Sequence, residues 1–270
     1  CAQSDVVIAC LGLDSGLEGE EGDEGNQYAS GDKADLNLPG LQEDILRIMV
    51  ESGKPVVLIL LSGSALAINY AQDKVPAILQ GWYPGAQGGR AIANVLFGDC
   101  SPEGRLPVTF YKSTEELPAF TDYSMENRTY RYMKTQPLYP FGYGLSYVDF
   151  EYSNVTVSST QVTQEGITVQ GDVKNMGSRP GTETVQVYVK AMVDGAANCQ
   201  LKGIKKVYLQ PQETQTVTIH LPIEAFVLYD AEGREILPKA NYQISFGGFQ
   251  PDERSEELSG ACVATLEVNA

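Results

Sequence analysis

Apolar positions in the first part of the chain come in unbroken runs and helical stripes, whereas in the last part they alternate. Asp5-Val6-Val7-Ile8-Ala9-Cys10-Leu11, Pro55-Val56-Val57-Leu58-Ile59-Leu60-Leu61 and Ala77-Ile78-Leu79-Gln80-Gly81-Trp82 predict three strands. The second is apolar throughout, as in a parallel strand covered on both faces. Leu41, Ile45, Leu46 and Met49 recur at helical spacing behind Pro39, and Gly53 ends that helix. A second helix is expected around residues 65 to 72, after the small-residue turn Ser62-Gly63-Ser64. A third runs over Arg90 to Phe97, behind the glycines Gly85 to Gly89. Strand and helix therefore alternate, which argues for a parallel sheet. Three strands are few for such a sheet and would leave an exposed edge, so the chain is expected to open inside a domain.

From about residue 151 the period becomes two. Ile167 to Val173, Glu183 to Val189, Lys205 to Leu209, Gln215 to Leu221 and Tyr242 to Phe246 alternate, with turns such as Lys174-Asn175-Met176-Gly177 between them. That spacing predicts a β-sandwich. Between the two regions lies a stretch rich in proline, glycine and aromatic residues, which reads as an ordered strap. The expected fold is α/β then all-β: a partial α/β sandwich over residues 1–112, a strap over 113–150 and a β-sandwich over 151–270.

Charge narrows the partners. The 270 residues carry a formal net charge of −16. Such a surface repels phosphate backbones and anionic lipid, so no nucleic acid and no membrane partner is expected, and a neutral substrate such as a sugar fits better. No apolar stretch approaches the length of a membrane span, and no charged segment followed by an apolar one opens the chain. Five cysteines, without a CxxC pair, read as free thiols and favour a reducing, cytoplasmic compartment. The single histidine, His220, lies in an alternating run and reads as a strand-face residue. A Ser-His-Asp triad or a multi-histidine metal site is therefore discounted, and neither metal nor cofactor is expected.

The candidate chemistry lies in Gly12-Leu13-Asp14-Ser15-Gly16-Leu17-Glu18-Gly19-Glu20-Glu21-Gly22-Asp23, directly after the first strand. Ligand-binding groups of open α/β sheets sit at the carboxyl ends of the strands, and a carboxylate there can give or take a proton. Glu18, Glu20, Glu21, Asp23 and Glu24 are crowded, and like charges raise one another's proton affinity, as a general acid requires. Solvation and screening would cancel that effect. Gly85-Ala86-Gln87-Gly88-Gly89 lacks the lysine and hydroxyl residue of a phosphate loop and reads as close helix packing. Trp82 and Tyr83 suit either a sugar face or the core.

Several segments, in order, resemble the C-terminal half of glycoside hydrolase family 3, the β-glucosidases and β-xylosidases. They are Leu17-Glu18-Gly19-Glu20-Glu21 with Gly31-Asp32-Lys33 and Leu38-Pro39-Gly40-Leu41-Gln42; Trp82-Tyr83-Pro84-Gly85 through Gly98-Asp99; Gly104-Arg105-Leu106-Pro107; Arg128-Thr129-Tyr130-Arg131-Tyr132 with Phe141-Gly142-Tyr143-Gly144; and Val173 to Val189 with Leu201-Lys202-Gly203. The resemblance implies an α/β sandwich followed by a fibronectin type III-like domain. It also implies retaining hydrolysis of a β-linked glucoside or xyloside, which uses two carboxyl groups about 5–5.5 Å apart. The nucleophilic aspartate would come from a β/α barrel whose motif is not in this sequence, so no nucleophile is assigned and the chain alone is expected to be inactive. The general acid/base would come from the acidic loop: Glu20 by position, with Glu18 and Glu21 as alternatives. Lys33 stands where the family often has arginine and cannot make arginine's forked hydrogen bonds. A non-catalytic carbohydrate-binding or structural module is the alternative function, and a homo-oligomer is left open.

Overall fold

The computed structural model describes residues 1, 3–18, 33–119 and 121–270. The chain divides into two compact units, one of residues 1–99 and 110–122, the other of 100–109 and 123–270.

In the first unit, β1 (Val7–Gly12), β2 (Val56–Leu61) and β3 (Ala77–Gln80) form a parallel sheet in the order β1-β2-β3. Val7 pairs with Val56 and Gly12 with Leu61, so the two strands finish level. Val56, Leu58, Ile59 and Leu60 of the central strand are at most 1% exposed, which is why that strand is apolar on both faces. β1 is an edge strand on which Ile8 remains half exposed. Among the described residues, four α-helices belong to this unit: α1 (Ser15–Glu18), α2 (Gln42–Glu51), α3 (Asn69–Lys74) and α4 (Gly88–Leu96). The helix expected over 65–72 forms later, as α3. Residues 65–68 stay outside the helix: Leu66, Ala67 and Ile68 are buried, and the Ala67 N–H donates to the Leu36 carbonyl at 2.7 Å. Gly88, in the glycine-rich turn, is buried at the start of α4.

The second unit holds a short helix α5 (Thr129–Tyr132) and then β4 (Phe150–Val157), β5 (Ile167–Asn175), β6 (Gly181–Ala191), β7 (Gln200–Leu209), β8 (Thr214–Leu221), the two-residue strands β9 (Leu228–Tyr229) and β10 (Glu235–Ile236), β11 (Asn241–Gly247), α6 (Glu253–Ser259) and β12 (Ala264–Asn269). A four-stranded sheet, β12-β11-β6-β7, and a three-stranded one, β4-β5-β8, share one core that includes Val169, Val185, Val187, Val217, Ile244 and Phe246. Alternation puts every second residue of β8 into that core, and His220 falls on the exposed face.

Aromatic residues between 123 and 150 belong to this unit. Tyr130 stacks on Phe141 with centroids 4.2 Å apart, and its hydroxyl accepts the Leu201 N–H at 3.1 Å. The Asn198 side chain donates to the carbonyls of Tyr130 and Met133 at 3.2 and 2.7 Å. Segment 100–109 is tied down by Arg105. Its guanidinium meets Glu183 on β6 at 2.7 Å and donates to the Gly248 carbonyl at 3.1 Å.

Candidate active site

The carboxyl ends of β1, β2 and β3 converge on one carboxylate. At the end of β1, Gly12 adopts φ +134°, and a Cβ there would lie 2.1 Å from the Leu61 carbonyl oxygen, so only glycine lets the two strands end this close together. The Gln42 side chain, on the first turn of α2, clamps the same residue. Its amide oxygen accepts the Gly12 N–H at 2.7 Å and its NH2 donates to the Gly12 carbonyl at 2.8 Å. Gly12→Ala is therefore expected to lower the stability of the first unit by about 1–3 kcal/mol from backbone strain alone. Urea unfolding would read this as a lower midpoint, and an unchanged midpoint would contradict the geometry.

Beyond Gly12 the chain turns into α1. Asp14 acts as its cap, its Oδ1 accepting the N–H groups of Gly16 and Leu17 at 3.0 and 2.9 Å. This single turn delivers Glu18 to the Ser62-Gly63-Ser64 turn that follows β2. Oε1 of Glu18 accepts three donors: the Gly63 N–H at 2.6 Å, the Ser64 N–H at 3.1 Å and the Tyr83 hydroxyl at 3.0 Å. Oε2 accepts the Ser64 hydroxyl at 2.8 Å. The two oxygens thus differ. Backbone donors cannot reverse, and they fix Oε1 as an acceptor. The partner of Oε2 is a hydroxyl, which can donate or accept.

Tyr83 reaches the carboxylate from the end of β3. Trp82, just before it, adopts φ +53°, a conformation that costs a bulky residue energy. The Trp82 ring packs edge-on against buried Phe110, with centroids 6.2 Å apart. Gly63 leaves room for the Tyr83 ring, because a Cβ at that position would stand 2.8 Å from it. Burial, together with the neighbouring Glu18, pushes the Tyr83 phenol up to about 12, so it remains a donor at working pH. Lys33 donates to the Ala65 carbonyl at 3.3 Å, on the same connection that holds Glu18. Burial lowers the Lys33 pKa, while the charges of Glu18 and Asp35 oppose that shift.

Of the three candidate acids, Glu18 is placed as described; Glu20 and Glu21 lie outside the described residues, as do Asp23, Glu24 and Asp32. The partnership of Glu18 with Ser64 and Tyr83 was missed by the sequence reading. Its signal was positional: a small-residue turn and a tyrosine, each directly after a parallel strand, where such sheets gather ligand groups. Trp82 is partly buried, with its ring edge-on to Phe110. Among the described residues no group of His, Cys, Asp or Glu side chains could hold a metal ion, and no helix is long and apolar enough to cross a membrane.

Known proteins share both units. The model of the glycosyl hydrolase family 3 C-terminal domain matches residues 1–147, and that of the fibronectin type III-like domain matches residues 183–250. A xylan 1,4-β-xylosidase of Xylanibacter ruminicola is 38% identical over 94% of this chain and 30% of its own length. A periplasmic β-glucosidase of Salmonella typhimurium is 35% identical over 85% of the chain and 32% of its own length. Among solved structures, a β-glucosidase from Erythrobacter marinus superposes with a TM-score of 0.80 at 30% identity, over 99% of this chain and 34% of that one. The chain thus spans about a third of the length of the relatives it matches. The family model spans more than half of the chain, and the chain belongs to glycosyl hydrolase family 3.

Proposed function

We propose that this chain supplies the general acid/base and part of the sugar pocket of a retaining exo-β-glycosidase acting on β-linked glucosides or xylosides. The observation that carries the reading is the asymmetric hold on Glu18: three donors on Oε1, one reversible hydroxyl on Oε2. A carboxyl group so held keeps Oε1 fixed as an acceptor, and a proton is accommodated on Oε2 once the Ser64 hydroxyl turns from donor to acceptor. Position along the sequence favours Glu20, with Glu21 as a further candidate, and both lie outside the described residues; the assignment rests on the hydrogen bonds of Glu18 alone, and the three are separated by substitution.

In the first step the proton on Glu18 passes to the glycosidic oxygen. The bond between that oxygen and the anomeric carbon breaks, and its electron pair stays with the oxygen. A carboxylate from the family's β/α barrel forms the new bond to the anomeric carbon. In the second step Glu18 takes a proton from water, the water oxygen bonds to the anomeric carbon, and the barrel carboxylate leaves with its electrons. Two inversions give overall retention. The strong negative charge of the chain suits a neutral sugar.

Residues 1–270 alone are expected not to hydrolyse an aryl β-xyloside or β-glucoside, because the attacking carboxylate is contributed by the barrel. The longer enzyme that carries them is expected to turn over both, and the ratio of kcat/KM assigns the sugar. Turnover by residues 1–270 alone, above that of a Glu18→Gln control, would overturn the division of labour.

A further inference from the structure

We propose that Tyr83 is a positioning residue for this chemistry, holding the Glu18 carboxylate in the orientation that presents Oε2 to the leaving group. The proposal rests on the assignment of Glu18 as acid/base. Three separate features build the contact. The phenol donates to Oε1 at 3.0 Å. Gly63 lacks the Cβ that would obstruct the tyrosine ring at 2.8 Å. Trp82 carries a positive φ of 53° at the bend that leads from β3 into Tyr83. A strained tryptophan and an obligatory gap are costly ways to place a surface tyrosine, and Tyr83 is 48% exposed, so core packing does not account for them.

The contact has a specific consequence. Carboxylate rotation about the terminal torsion of a glutamate is soft. The Gly63 and Ser64 N–H groups hold Oε1 from the side of the β2 turn, and the Tyr83 hydroxyl adds a donor from β3. Without the phenol the carboxyl group keeps its three bonds to the Gly63–Ser64 turn but loses its one donor from β3, so its orientation is less closely set and Oε2 spends less time where a glycosidic oxygen would meet it. Small errors in placement lower the rate of proton transfer while leaving sugar binding intact.

The test is Tyr83→Phe in the longer enzyme, which keeps the ring against Gly63 and removes only the hydroxyl. Two substrates of the same sugar are compared, one with an alkoxide leaving group that needs a proton and one with dinitrophenolate that does not. Loss of a hydrogen bond to a charged group is expected to lower kcat/KM for the first by about tenfold, and for the second by no more than about twofold. KM for the first substrate is expected to stay unchanged. Equal losses on both substrates, or a loss on neither, would overturn the proposal. Glu18→Gln is measured in parallel. If it also fails to discriminate between leaving groups, the assignment of Glu18 falls and the role of Tyr83 falls with it. If Glu18→Gln discriminates and Tyr83→Phe does not, only the positioning role is lost.

Discussion

Arg105→Ala is expected to destabilise the second unit by about 3–5 kcal/mol at neutral pH, the usual cost of removing one partner from a buried ion pair. The side chains of Arg105 and Glu183 are 8% and 5% exposed and meet at 2.7 Å. The guanidinium also donates to the carbonyls of Gly104 and Gly248, and Glu183 accepts the Thr184 N–H at 2.6 Å. Truncation would leave a carboxylate in the interior with no countercharge and would remove one tie between segment 100–109 and β6, leaving the Thr184 hydroxyl on the Glu103 carbonyl.

The loss carries a pH signature. Burial raises the Glu183 pKa above the ordinary carboxylate range, and Arg105 opposes that rise. Without Arg105 the folded state binds the proton more tightly still, whereas the unfolded chain does not. Protonation then favours folding, so the deficit is largest above the raised pKa and shrinks as pH falls through it. Urea midpoints of wild type and variant, measured from neutral to mildly acidic pH, check this. A loss below about 1 kcal/mol, as for an exposed pair, or a loss independent of pH, would contradict it. Replacing both residues by leucine is expected to cost less than replacing Arg105 alone, since no buried charge remains.

Glu18→Gln is expected to lower kcat/KM of the longer enzyme by about 10²–10⁴-fold on glycosides with alkoxide leaving groups, the range for loss of a general acid. On a dinitrophenyl glycoside kcat/KM is expected to change little, because that leaving group departs without a proton. The same substrate is expected to show a depressed kcat and a depressed KM together. With no base to activate water, the glycosyl-enzyme accumulates and its breakdown limits turnover. Glu20→Gln and Glu21→Gln are expected to show neither effect. A comparable loss on both leaving groups in Glu18→Gln would mean that Glu18 holds the loop without moving protons.

Strands were legible where burial leaves a simple signature. The apolar run 55–61 became β2, and the five alternating runs became β5, β6, β7, β8 and β11. β4 was not legible, because its pairing with β5 shifts register between Ser153 and Thr156, and Asn154 within that shift takes a positive φ. A bulge of this kind breaks the period-two pattern. Helix α6 has almost no apolar stripe, and its evidence lies in its ends. Asp252 caps it by accepting the Ser255 N–H at 2.9 Å, and Gly260 closes it in the left-handed conformation.

The site was legible as a place more than as a set of contacts. A loop of carboxylates after a parallel strand, a small-residue turn after the next and an aromatic pair after the third are each visible along the chain. That Glu18 meets Gly63, Ser64 and Tyr83 is not, since those residues lie 45 to 65 positions away. Only the level ends of the parallel strands bring them together.

The most direct test of the central claim is azide rescue of the three glutamine variants of the longer enzyme on a dinitrophenyl glycoside. Azide attacks a glycosyl-enzyme without needing a base. The account predicts that it accelerates Glu18→Gln and yields a glycosyl azide of β configuration, while leaving Glu20→Gln and Glu21→Gln at their own rates. Rescue of Glu20→Gln or Glu21→Gln in place of Glu18→Gln would contradict it, as would a glycosyl azide of α configuration.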